Sequence, residues 1–124
     1  MQINVLLENG AFKYSVGTTP PTYPTIPGTI FVHHFNVNDQ ITWSYWQSNQ
    51  RVQVAFEQDI CPFADTHDTP WQGKTATFPG QASKLHSRFD MNQKYRRIKY
   101  SVTLLDAPGN PKPKDDPEVI VVNG

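Results

Sequence analysis

Ile98-Lys99-Tyr100-Ser101-Val102-Thr103-Leu104 lies near the end of the chain, and after a Pro- and Gly-rich loop comes Asp116-Pro117-Glu118-Val119-Ile120-Val121-Val122. In the first stretch Ile98, Tyr100, Val102 and Leu104 occupy every second position, with Arg97, Lys99, Ser101 and Thr103 beside and between them. That period of two belongs to a half-buried strand. The second stretch is apolar on both faces, as a strand covered on both sides would be.

Working outward, Ile3, Val5 and Leu7 alternate with Asn4, Leu6 and Glu8 before Asn9-Gly10, two residues that tolerate positive φ in a type I′ turn. A hairpin of Ile3 to Leu7 with Ala11 to Val16 follows, with Phe12, Tyr14 and Val16 facing the core. Thr18 to Gly28 carries Pro20, Pro21, Pro24 and Pro27 and reads as an extended connection rather than a ladder strand. Thr29 to Phe35 and Gln40 to Trp46 are the next strands, split by Asn36-Val37-Asn38-Asp39. Ile41, Trp43 and Tyr45 point one way, with Trp43 and Tyr45 read as core. Arg51 to Glu57 is another strand, with Val52, Val54 and Phe56 on one face. Gln58 to Gly73 is polar, without a period, and reads as a long functional loop or lid. Lys74 to Phe78, a turn at Pro79-Gly80, and Ala82 to Phe89, with Leu85 and Phe89 inward, complete the set. Roughly eight short strands, turn signals every eight to twelve residues and no amphipathic helix predict an all-β, antiparallel Greek-key β-sandwich.

The chain has 124 residues, enough for one domain with a real core, so residues 1–124 are read as a single unit. Seven Phe, five Tyr and three Trp supply much of the apolar content, so large rings fill the centre. Eleven basic and eleven acidic residues cancel, leaving no long-range field toward nucleic acid or an anionic membrane. Lys94-Tyr95-Arg96-Arg97-Ile98-Lys99, basic with interleaved rings, is read as the solvated face of a strand. One cysteine, Cys61, forms no internal disulfide. Met1-Gln2-Ile3-Asn4 enters a strand directly, with no basic segment or apolar run of a secretory leader, and the expectation is cytoplasmic. No apolar run approaches the roughly 20 residues that cross a bilayer.

Several segments in order resemble one family: Pro27-Gly28 before a strand, Asn38-Asp39-Gln40-Ile41-Thr42-Trp43, Val52-Gln53-Val54-Ala55-Phe56, Cys61-Pro62-Phe63, Phe78-Pro79-Gly80 and Ile98-Lys99-Tyr100-Ser101-Val102. From about Gly28 to the C-terminus the chain is similar to small cupredoxin-like domains. The close, Asp116-Pro117-Glu118 before a buried strand, also resembles the DP-EP family, a group of uncharacterised bacterial proteins. Blue-copper members carry a His at the head of the strand that here begins Arg51-Val52. They carry a Cys, a second His and usually a Met around the end of the strand that here reads Tyr100-Ser101-Val102. These positions do not match: Val102 supplies no thiolate, and Leu104 to Pro117 contains no Cys, His or Met. The resemblance implies the scaffold without type 1 copper or electron transfer.

Other chemistry-bearing residues are Cys61, His33, His34, His67, His86 and Met91, none at a recognised ligand spacing. Asp65, His67 and Asp68 share one loop and form a candidate weak divalent site, with His33 or His86 as added ligands. The alternative for Asp65-Thr66-His67-Asp68 is a hydrated turn with an Asx hydrogen bond. His33 and His34, adjacent on a strand, point to opposite faces. No phosphate loop, nucleophile elbow or helical metal motif is present. Trp46, off the core face, and Trp71, in the long loop, are read as exposed rings able to stack on a sugar or anchor a partner. The expectation is therefore a non-catalytic interaction or ligand-binding module, without cofactor, taking a protein or small-molecule partner. The loop metal site and a carbohydrate surface on Trp46 and Trp71 are the alternatives. Glu118 to Val122, placed at a sheet edge, would offer a homodimer contact.

Overall fold

The computed structural model describes residues 1–24, 32–36, 39–58, 60–87 and 95–122, and for 23–24, 32–36, 95–96 and 122 the backbone alone. The start of the Thr29 to Phe35 strand, the centre of the Asn36–Asp39 turn, Phe89, Met91, Lys94 and the ring directions of His33 and His34 lie outside what is described.

The described residues form strands β1 (Gln2–Glu8), β2 (Ala11–Val16), β3 (Tyr23–Pro24), β4 (Val32–Asn36), β5 (Thr42–Tyr45), β6 (Val52–Ala55) and β7 (Phe63–Ala64). After a short 3-10 turn at Gln72–Lys74 come β8 (Thr75–Phe78), β9 (Lys84–Leu85), β10 (Tyr95–Lys99), β11 (Ser101–Leu104), β12 (Lys114–Asp115) and β13 (Glu118–Val122). The fold is all-β. Two four-stranded sheets run β3-β2-β1-β5 and β12-β11-β6-β8, beside a three-stranded sheet β10-β13-β4 and the pair β7-β9. Neighbours are mostly antiparallel; β1 with β5 and β13 with β4 are parallel.

The N-terminal hairpin follows its sequence. Asn9 (φ 53°) and Gly10 (φ 77°) both take the positive φ of a type I′ turn, which sets Glu8 opposite Ala11 and Ile3 opposite Val16. Ile3, Val5, Phe12 and Tyr14 are thereby buried, whereas Val16, at the strand end, is exposed. The proline-rich connection is not free of ladder contacts: Tyr23 and Pro24 pair with Tyr14 and Lys13. Pro24 is tolerated because β3 is an edge strand of this sheet.

The C-terminal alternation is realised as a strand shared between two sheets. Ile98, Tyr100, Val102 and Leu104 are all buried, as their period requires. β10 pairs with β13, while β11 pairs with β12 and β6. The register runs on without slip, Lys99 opposite Glu118 and Val102 opposite Asp115. Tyr100 N–H donates to Pro117 O at 3.0 Å at the bend between. Strands that change sheet by bending make the corners of such folds. β13 is consequently interior, held by β10 on one side and β4 on the other. The edge position expected for Glu118 to Val122 is not found, and its backbone groups are already engaged within the chain.

Trp43 of β5 joins these layers. Its ring centroid lies 5.4 Å from Phe78, 5.6 Å from Phe63, 5.8 Å from Tyr100 and 6.1 Å from Trp71. Edge and tilted ring pairs of this kind add about 0.5–1.5 kcal/mol each beyond the area they bury. The centre is thus aromatic, as the composition predicts.

Candidate functional site

Within the stretch from Gln58 to Gly73, residues 63–71 form a folded hairpin packed against β9. Phe63 and Ala64 pair with Leu85 and Lys84, Ala64 bridges to Pro70, and Trp71 N–H reaches Phe63 O at 3.5 Å. The tip between these partners closes on Asp65, whose Oδ1 accepts from the backbone N–H of His67 at 2.8 Å and of Thr69 at 3.0 Å. That is an Asx turn, the arrangement in which Asp competes for nearby backbone donors. The lack of period in the sequence comes from a strand of only two residues, Phe63–Ala64, whose ladder partner is β9.

This turn disperses the proposed metal ligands. Asp65 is committed to the backbone, and His67 is exposed. Asp68 turns to the neighbouring segment, where its carboxylate accepts from Ser87 N–H at 2.9 Å and from the Ser87 hydroxyl. It also pairs with Lys84 Nζ at 2.9 Å, with His86 Nε2 3.8 Å away. The Ser87 and Lys84 donors hold the Asp68 carboxyl well below the usual carboxylate range. Lys84 occupies the place a cation would take. No group of three or more His, Cys, Asp or Glu side chains able to hold an ion is found among the described residues. Asp65 thus closes a turn and Asp68 straps it to Lys84 and Ser87, and the three side chains, His67 included, do not converge on one point among the described residues.

Cys61 is half-buried and packs against the core. Burial pushes its thiol up to about 11, only partly offset by the Phe63 carbonyl contact and Lys74. A nucleophilic cysteine needs the opposite shift.

The two tryptophans singled out in the sequence are not brought together. Trp46 follows β5 in a turn, half-buried, its backbone N–H donating to Val5 O at 2.7 Å. Trp71 is 5% exposed and lies inside an aromatic cluster, 5.5 Å from Phe63, 6.0 Å from Phe78 and 6.1 Å from Phe56. The expectation of two exposed rings on one surface is overturned. The hairpin returns Trp71 beside Phe63, and a side chain of that size is most stable with its apolar area removed from water.

Trp71 nevertheless borders open space. A cavity of about 490 Å³ is lined by Asp65, Thr69, Pro70, Trp71, Gln72, Thr75 and Gln81. The hairpin tip, the 3-10 turn, the start of β8 and the turn after β8 each contribute a wall. Asp65 brings the only ionisable side chain to this lining, beside two amides and two threonines. Trp71 Nε1–H is the one buried side-chain polar atom without a hydrogen-bond partner among the described residues. Buried Trp N–H groups ordinarily find an acceptor, and leaving one unmade costs about 1–3 kcal/mol.

Two other concavities are less open to a ligand. A groove of about 590 Å³ at the end of the sandwich, lined by residues including Tyr45, Ser48 and Asp106, has these groups already engaged. Asp106 takes the Arg51 backbone N–H and guanidinium, Ser48 Oγ accepts from Gln50 N–H, and Tyr45 Oη bonds the Leu7 backbone. The cleft at the hairpin corner, beside Glu57, Tyr100 and Asp116, holds only about 70 Å³.

No protein-family model matches the chain, and no curated protein matches it in sequence. No helix among the described residues is long and apolar enough to cross a membrane.

Proposed function

We propose that the chain is a non-catalytic ligand-binding module on a cupredoxin-like Greek-key sandwich without type 1 copper, and that a small uncharged molecule occupies the Trp71 cavity. One observation carries the binding half: a cavity of small-molecule size has in its wall a buried indole whose N–H lacks a partner. Its volume of about 490 Å³ falls in the range of about 300–1,000 Å³ typical of such sites. The raised pKa of the half-buried Cys61 thiol disfavours a nucleophilic role for that residue. What supports the scaffold half is the packing of β5 on β8 through Trp43 and Phe78, with the parallel pairs β1–β5 and β13–β4 beside it. Amide-resolved NMR of the whole chain with a library of uncharged fragments tests the proposal. Saturable shifts confined to residues 65–75 and Gln81, with a matching rise in thermal midpoint, are expected. A library that leaves those amides unmoved overturns it.

A further inference from the structure

We infer that the ligand of the Trp71 cavity is a saccharide, bound through one or two sugar rings; this rests on the ligand-binding reading above and specifies its chemistry. The lining selects for hydroxyl groups. Gln72 and Gln81 each carry an amide donor and an amide acceptor, and neither makes a side-chain hydrogen bond among the described residues. Asp65 commits Oδ1 to the turn, while Oδ2 accepts no hydrogen bond there. The Thr69 hydroxyl adds a group that both donates and accepts, and the Thr75 hydroxyl, which donates to Gly73 O at 3.1 Å, adds an acceptor. A sugar hydroxyl is likewise donor and acceptor at once, so a polyol matches this mixture where a ligand with only acceptors or only donors does not.

Charge narrows the class further. No Lys, Arg or His lines the cavity, and its one ionisable side chain is a carboxylate, so phosphates and carboxylates meet repulsion without a compensating cation. Pro70, exposed at the rim with the buried Trp71 behind it, supplies an apolar surface for the C–H groups of a pyranose. Trp71 Nε1–H is sealed from solvent and unpartnered among the described residues, so it gains an acceptor only where a ligand hydroxyl reaches it. That gain is available to the bound state and not to the empty one. Positioning is favourable too, since Trp71 is locked by Trp43, Phe63 and Phe78 and loses no rotamer freedom on binding.

The test uses the whole chain labelled with ¹⁵N. The three tryptophans give three indole N–H signals, and that of Trp71 is identified by its loss in Trp71→Phe. The probes are glucose, galactose, mannose, N-acetylglucosamine and their common disaccharides, run beside uncharged non-sugar fragments. The inference expects a sugar to shift the Trp71 indole signal saturably. Trp71→Phe should weaken that binding by up to about tenfold, the worth of one neutral hydrogen bond. Gln81→Ala, at a turn outside the core, serves as the second variant and should weaken it similarly. If fragments move the signal and no sugar does, the saccharide inference falls and the binding site remains. If nothing moves it, both fall.

Discussion

Tyr14 and Asp115, 101 residues apart in the chain, meet in one hydrogen bond: Tyr14 Oη donates to Asp115 Oδ2 at 2.6 Å. The contact ties the N-terminal hairpin to the C-terminal one, with Tyr14 fully buried and Asp115 half-buried at β12. Tyr14→Phe keeps the ring and deletes the donor. Because the acceptor is a carboxylate, the expected loss is about 1.5–3 kcal/mol, read from urea unfolding. A loss below about 0.5 kcal/mol would mean that water replaces the hydroxyl without penalty.

The same tyrosine makes stability sensitive to alkali. Burial, with the Tyr100 and Asp115 groups, keeps the Tyr14 proton on to well above the usual pH, and burial does the same for Tyr100. Unfolded tyrosine ionises near about pH 10. The folded state thus holds protons that the unfolded state releases, so this stabilisation is complete below about pH 10 and declines as pH rises above it. Urea midpoints across that range should fall, and the phenolate absorbance of Tyr14 and Tyr100 should appear only on unfolding.

At the acid end, Asp68 behaves in the reverse sense. Its folded-state carboxyl is lowered by Ser87 and Lys84, and Asp106 is lowered by Arg51. Both contributions are present above the unfolded value of about 3.9 and are lost as pH falls below it. Asp68→Asn should flatten the fall of the urea midpoint between about pH 4 and pH 2. An unchanged slope would remove Asp68 from the acid transition.

Trp71→Ala and Trp71→Phe should separate packing from polarity. The alanine variant opens a hole among Trp43, Phe56, Phe63 and Phe78, and an expected loss of about 3–5 kcal/mol follows from cavity formation. The phenylalanine variant retains a ring and removes the unpartnered N–H, so its loss should be well under half of that. Equal losses would show that the indole N–H is satisfied in solution.

Cys61 should label slowly. With the thiol at about 11, native protein near neutral pH carries roughly a hundredth of the thiolate of a free cysteine. Disulfide-exchange labelling should be slower than in urea by at least that factor, and a native rate equal to the unfolded one would contradict the burial.

Much of the fold was legible because its signals are local. Asn9-Gly10 set the first turn, and the alternation at Ile98, Tyr100, Val102 and Leu104 named the buried face, since side-chain direction in a strand repeats every two residues whatever the partner. The candidate site was half legible: Trp71 and Asp65 were singled out, but as an exposed ring and a metal ligand. Gln72, Thr75 and Gln81 carried no signal, because uncharged polar residues in turns look alike until the chain gathers them.

The sequence by itself determined an all-β chain with an aromatic centre, through period, turn chemistry and ring content. Only the tertiary structure decided that the last strand lies between β10 and β4 and that β10 and β11 part at Tyr100 into different sheets. It alone decided that Trp71 turns inward beside Trp43. These are choices among partners far apart in the chain, made by the total area removed from water, and no local pattern encodes that sum.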